Sequence, residues 1–261
     1  METRNKVGFV IPTLGTRPEM LTRVLSSIEP VSDEIIVVAP KESWGQIEKT
    51  SADIQIELVQ DPGIGLAAAI NEGFRNLSGD IVFANWIGDD DGIYPDAFLK
   101  LKAKIEHSDC VAVFGDCDYR LENGALLGRS SAGGMGVTIL GWGPDLIPQP
   151  TSLFRFSALK EVAFVNESYK LAFDFDLFLK LRKLGPIEHS SATTGYFTWH
   201  ADSLSVSNRF PSAREAHEIR MNHSSGLSRV FIGAISPLVI LATVLAGLVV
   251  NIRAKRMIKG N

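Results

Sequence analysis

Three carboxylates stand side by side at Asp89, Asp90 and Asp91, directly after the apolar run DIVFANW at residues 80–86. Adjacent carboxylates repel and raise one another's pKa. A hard divalent cation removes that conflict, and Mg2+ or Mn2+ commonly binds through one or two carboxylates together with substrate phosphates. A second reading stands beside the first, because negative charge at the start of the next helix is stabilised by the helix dipole. The position of the cluster at the end of a strand favours the cation.

A second pair of acids, Asp174 and Asp176, opens the segment FDFDLFLKLRKL. One suits the helix N-cap, which leaves the other to face a cleft as a general base; both acting as caps is the alternative. Thr13 to Arg17 (TLGTR) follows the first apolar run, where backbone amides and hydroxyls at a helix start suit a nucleotide phosphate. His200 follows a short aromatic strand and reads equally as a metal or phosphate contact or as a structural histidine. Of the tryptophans in the second half, Trp142 sits in the segment open enough for stacking.

These residues need a frame. The run VGFVI at residues 7–11, EIIVVA at 34–39 and DIVFANW at 80–86 read as buried strands, and residues 54–59 alternate like an edge strand. Met20, Leu21, Val24, Leu25 and Ile28 share one helical face, as do Ala67, Ile70 and Phe74. Pro95 starts another helix through Glu106. Strands alternating with helices predict a mostly parallel sheet covered on both faces, an α/β Rossmann-like fold. The second half predicts a strand over 111–114, a mobile region over 124–143 with its seven glycines, a helix over 173–184 closed by Gly185-Pro186, and a short strand over 197–200.

A chain of 261 residues with 45% apolar and 21% charged residues is globular, and its core needs no disulfide. Cys110 and Cys117 form no zinc or redox spacing and read as small buried side chains. The net charge of −4 gives no nucleic-acid surface. Glu2, Arg4 and Lys6 argue against a cleaved secretion signal. Residues 230–252 carry no charge and reach the ~20 apolar residues that a membrane helix needs. A basic tail follows with Arg253, Lys255, Arg256 and Lys259. The organisation expected is a catalytic domain over 1–210, a linker over 211–229, a membrane helix over 230–252 and the tail over 253–261.

With these residues in place, the chain resembles family 2 glycosyltransferases of the GT-A fold. VGFVIPTLGTRPEMLTRVLSSI is similar to their first strand and helix, and GIGLAAAINEGFRNLSGDIVFANWIGDDDGIYPDAF to their central stretch with its Asp-x-Asp region. IPQPTSLFR and LAFDFDLFLKLRKLG resemble the acceptor-side segment and the base-bearing helix, and YFTWHADSLSVS the end of the domain. The resemblance implies inverting transfer of a sugar from a nucleotide-diphosphate donor to a hydroxyl acceptor, assisted by Mg2+ or Mn2+. It implies Asp174 as base, with Asp176 as the alternative. Thr13, Asp61, Asn71 and Asp89 are implied as donor-binding residues, and Asp90, Asp91 and His200 as metal ligands. Three positions depart from the family, the first being Ile70, where the family often has Arg before the asparagine matching Asn71. Ala39-Pro40-Lys41-Glu42-Ser43 replaces an Asp-Asp-Gly-Ser run, and Gly88 stands at the first Asp of Asp-x-Asp.

The partners implied are a nucleotide sugar, a glycan or lipid-linked acceptor and a membrane, in cell-surface glycan or polysaccharide synthesis. Nucleotide sugars are made in the cytosol, so the catalytic domain is expected there, and the basic tail favours the same side. A single span cannot satisfy both; a hairpin or an in-plane helix can. Two other function classes are a sugar-phosphate nucleotidyltransferase, faintly echoed by Leu14-Gly15-Thr16-Arg17, and a non-catalytic membrane-tethered binding protein on the same fold.

Overall fold

A computed structural model describes residues 5–130, 132–200 and 208–259. The chain order is β1 (Lys6–Pro12), α1 (Pro18–Ile28), β2 (Glu34–Ala39), α2 (Trp44–Thr50), β3 (Glu57–Gln60), α3 (Leu66–Asn76), β4 (Ile81–Trp86), β5 (Gly92–Ile93) and α4 (Pro95–Glu106). It continues with β6 (Ala112–Leu121), β7 (Leu126–Ser130), α5 (Gly134–Ile139), β8 (Ser152–Arg155), α6 (Phe156–Glu161), α7 (Phe173–Leu184), β9 (Ile187–Trp199), α8 (Arg209–Asn222) and α9 (Gly226–Lys259).

One sheet runs in the order β3-β2-β1-β4-β8-β6-β9-β5, with β7 paired to β6. The block β3-β2-β1-β4 is parallel throughout. Beyond it β8 pairs antiparallel with both β4 and β6, while β6 and β9 run parallel. The parallel sheet read from the sequence is therefore the first half, and the second half is mixed. Strand alternation sends side chains to two cores. Val10, Ile36, Phe74, Trp86 and Phe154 fill one face under α3, α6 and α7. Phe9, Ile11, Ile35, Leu21 and Phe98 fill the other under α1 and α4. Truncating one of these buried phenylalanines to alanine removes about 3–5 kcal/mol of stability. At Gly73 a Cβ would lie 2.2 Å from Val10 Cγ1, so only glycine lets α3 pack this close to β1.

Four sequence expectations change. The described residues of the glycine-rich stretch 124–143 include β7, which closes a hairpin on β6, and α5. The strand expected over 111–114 continues to Leu121, because Asp116 and Asp118 find partners in His189 and in Tyr94 and Arg129. The last strand spans Ile187–Trp199 rather than starting at Phe197. Residues read as a linker form most of α8, and α9 extends past both ends of the expected 230–252 segment. Cys110 and Cys117 are free and buried.

Candidate active site

Strand order reverses direction at β1, with β2 on one side and β4 on the other. In open α/β sheets such a switch point leaves a crevice at the carboxyl ends of the strands. Thr13 follows β1 and the acidic turn Gly88–Asp91 follows β4, so the topology alone brings them together. Thr13 is buried and donates its hydroxyl to Asp89 Oδ2 at 2.5 Å. Arg17, at the start of α1, forms ion pairs with Asp89 and with Asp90 Oδ2, the latter at 2.7 Å.

The end of β9 closes the site from the opposite side. Thr198 donates its N–H to Asp91 Oδ1 at 2.9 Å and its hydroxyl to the Asp90 carbonyl. His200 Nε2 lies 2.5 Å from Asp90 Oδ2 and 3.0 Å from Arg17 Nη1. Arg17 can only donate. The ring nitrogen therefore cannot serve both contacts at once, since accepting from Arg17 forbids donating to Asp90.

Burial pushes the Asp89 carboxyl up, against Thr13 and Arg17. Burial first, then the neighbouring Asp90 charge, hold Asp91 well above the usual carboxylate range despite its hydrogen bond from Thr198. Among the described residues no three His, Cys, Asp or Glu side chains form a ready-made metal cage. The arrangement is open instead. A Cβ placed on Gly88 would lie 2.8 Å from Asp90 Oδ1 and 3.1 Å from Asp91 Oδ2, so these two oxygens converge over the glycine. Asp90 and Asp91 thus offer two carboxylate oxygens to a Mg2+ or Mn2+ ion, which would take its remaining ligands from phosphates. Gly88 supplies the room that a side chain would fill.

The same cleft, about 550 Å³, is lined by Arg17, Asp89, Asp90, Asp91 and His200 and also by Asp145 and Asp174. Asp174 lies in the first turn of α7 and accepts the Phe175 N–H at 2.8 Å. The turn is fixed by Glu215 on α8, whose carboxylate accepts the N–H groups of Lys170, Leu171 and Ala172 at 2.7–3.0 Å. Burial pushes Asp174 up to about 6. Asp145 lies on the loop before β8, and burial first, then Asp174, push it up to about 8, against the charge of Arg220. The two groups titrate as a pair. Near neutrality this pair therefore shares a single negative charge. Arg220 is 2% exposed, bonds the Gly143 carbonyl at 2.8 Å and thereby anchors the Asp145 loop to α8.

Four sequence candidates fall outside this constellation. Asp176 is 2% exposed and pairs with His223 at 2.7 Å and Lys180 at 2.8 Å, which removes it as an alternative base. Asn71 is buried in α3, where its amide clamps both backbone groups of Val165 and the Glu167 carboxylate, away from the cleft. Asp61 follows β3 at the same end of the sheet but accepts the Gly63 N–H and does not line the cleft. Trp142 is 45% exposed, as its open segment suggested, and is not a lining residue either. Residues 201–207, the remainder of the expected domain end, lie outside the described residues.

Sequence reading missed Thr198, Asp145, Glu215 and Arg220. Only Thr198 carried a signal, its place two residues before His200.

The glycosyl transferase family 2 model matches residues 9–163, more than half of the chain. Residues 1–349 of S. aureus TarS in complex with UDP-GlcNAc superpose with a TM-score of 0.63 and 16% identity, covering 87% of this chain and 69% of that one. The mannosyltransferase PcManGT from Pyrobaculum calidifontis, in complex with GDP-Man and Mn2+, superposes with a TM-score of 0.65 and 14% identity, covering 99% of this chain and 80% of that one. At such identities the likeness concerns the fold. No curated protein sequence matches the chain significantly. Sheet order, acidic turn and family match agree, and the chain belongs to glycosyl transferase family 2 and is a glycosyltransferase.

Proposed function

We propose that the chain transfers a sugar, with inversion, from a nucleotide-diphosphate donor to a hydroxyl of a membrane-associated glycan or lipid-linked acceptor. One observation carries the reading: the acidic turn with its histidine and the carboxylate of Asp174 line the same cleft. An inverting displacement needs a diphosphate site and a base in one cleft, with the base on the face of the anomeric carbon opposite the leaving group.

Asp90 and His200 would hold a Mg2+ or Mn2+ ion, with Asp91 completing the protein's share. Such an ion neutralises charge on the departing diphosphate. The remaining steps belong to the chain's own residues. Arg17 balances the acidic turn without donor and is placed to turn towards donor phosphates, where a guanidinium matches two oxygens. Thr13 and Thr198 hold Asp89 and Asp91 in place. Asp174, ionised above about 6, takes the proton from the acceptor hydroxyl as that oxygen attacks. Asp145 keeps its proton in the same pH range, so it adds no second negative charge beside the base.

The membrane part of the reading rests on α9, whose outer face exposes Leu238, Leu241, Leu245 and Leu248. It places the catalytic domain on the cytosolic side, where nucleotide sugars are made. The test is a panel of nucleotide sugars incubated with the chain and Mn2+, scored by release of nucleoside diphosphate. Release with at least one donor is expected. Release of pyrophosphate from a sugar phosphate and a nucleoside triphosphate would assign a nucleotidyltransferase instead, and donor binding without turnover on any acceptor would assign a binding protein.

A further inference from the structure

The helix α9 is long and apolar enough to cross a bilayer, yet its contacts exclude that geometry. Ile232, Ser236, Gly247 and Ala254 are buried along one stripe. Ser236 meets His217 of α8 at 2.5 Å, and Thr243 lines the small cavity that also reaches Asp174 and Arg220. Asn251 accepts from Trp199 Nε1 at 3.2 Å and Arg209 Nη2 at 2.7 Å, and Val250, Ala254 and Met257 pack with Leu121, Leu127 and Trp199. From Ile232 to Met257 the stripe runs ~38 Å at 1.5 Å per residue, longer than the ~30 Å hydrocarbon core. A span would therefore draw the flank of the catalytic domain, with the charges of α8, into hydrocarbon.

The opposite face is unpartnered. Leu227, Val230, Phe231, Leu238, Leu241, Leu245, Leu248, Val249 and Ile252 are each at least 47% exposed. No acidic residue follows Glu218, while Arg229, Arg253, Lys255, Arg256 and Lys259 do. A long apolar face with cations near its ends and no acid matches the interface of an anionic lipid surface.

We infer that α9 lies flat in the interface of an anionic bilayer, with both of its ends and the catalytic domain on one side. The inference deepens the membrane part of the proposed function and rests on it. It reconciles the cytosolic donor with the basic tail, because nothing crosses. It also sets the cavity between Asp174 and Thr243 beside the lipid-facing helix.

The experiment uses the full chain with single cysteines at Ser225→Cys and Lys259→Cys, polar positions at the two ends of the helix, added to preformed sealed vesicles of phosphatidylcholine with or without phosphatidylglycerol. Cys110 and Cys117 are buried and serve as internal controls for folding. An impermeant maleimide should label both ends to the same extent before and after vesicle lysis. Binding should require phosphatidylglycerol, and the double change Arg253→Gln with Arg256→Gln should weaken it roughly 25- to 30-fold, about fivefold per charge. Protection of one end until lysis would overturn the inference in favour of a span. A soluble dimer that hides Leu241 and ignores vesicles would overturn it in favour of a second copy. Donor binding is read on the same vesicles, so its loss with both ends still labelled counts against the transferase mechanism and leaves the in-plane helix standing.

Discussion

Replacing Asp145 with asparagine keeps the acceptor for the Ile147 N–H, 3.0 Å from Oδ1, and removes only the ionisable oxygen. In the folded protein burial and Asp174 raise this carboxyl from the ordinary 3.8 to about 8. A raised folded pKa contributes stability that is full below the unfolded value and is lost as pH rises through the folded one. Between about pH 4 and pH 8 the wild type should thus lose up to ~1.4 kcal/mol per pH unit from this group, ~6 kcal/mol in all. Asp145 keeps partial contact with solvent, and screening reduces the figure to roughly 3 kcal/mol. Asp145→Asn escapes that loss. Its melting temperature should match the wild type at about pH 5 to within a few degrees and exceed it by roughly 5–10 °C at about pH 8. Turnover near neutrality should change less than about threefold, because the wild-type side chain is already neutral there. Parallel melting curves for the two proteins across this range would refute the buried-pair reasoning, as would a large loss of turnover near neutrality.

Asp174→Asn should lower kcat by about 10²- to 10⁴-fold with donor affinity retained, and in the wild type kcat should rise with pH through about 6, where this base ionises; wild-type turnover in the variant rejects the assignment. Asp176→Asn should cost about 3 kcal/mol in denaturant melts, since it breaks a buried pair, without altering kcat per folded molecule. Burial opposes ionisation of Asp176, but His223 and Lys180 hold it below the ordinary value, so its contribution is present at neutral pH and fades as the pH falls below that value. Arg17→Ala should destabilise the metal-free protein by about 1–3 kcal/mol, and Mn2+ should raise the melting temperature of the variant more than that of the wild type. Equal Mn2+ shifts in the two proteins would mean that Arg17 does not stand in for the cation's charge.

The first half of the fold was legible because its signals are local. Apolar runs, helical spacing and Pro18 and Pro95 at helix starts placed β1 to α4 within a few residues, apart from α2 and the two-residue β5. The acidic turn was legible for the same reason, since three adjacent charges after a buried strand have few explanations. What escaped depends on partners distant in sequence. Glu215 caps backbone groups about 44 residues away, and Thr198 reaches Asp91 across 107 residues. The strand expected over 111–114 stopped short of Asp116 and Asp118, whose partners come from other segments. Asn71 failed in the opposite direction. Its motif pointed to donor contact, whereas packing turned its side chain to Val165 and Glu167. Asp176 looked equivalent to Asp174, and helical geometry separated them, with one facing the cleft and the other facing His223.

The acidic turn remains the centre of the mechanism, and binding of a nucleoside diphosphate with and without Mn2+ addresses it most directly. Wild-type affinity should tighten by roughly tenfold or more when Mn2+ is added, and Asp90→Ala should abolish that gain while its circular dichroism stays unchanged. Affinity indifferent to Mn2+ in the wild type, or an undiminished gain in Asp90→Ala, would contradict a donor diphosphate held at Asp89 to Asp91.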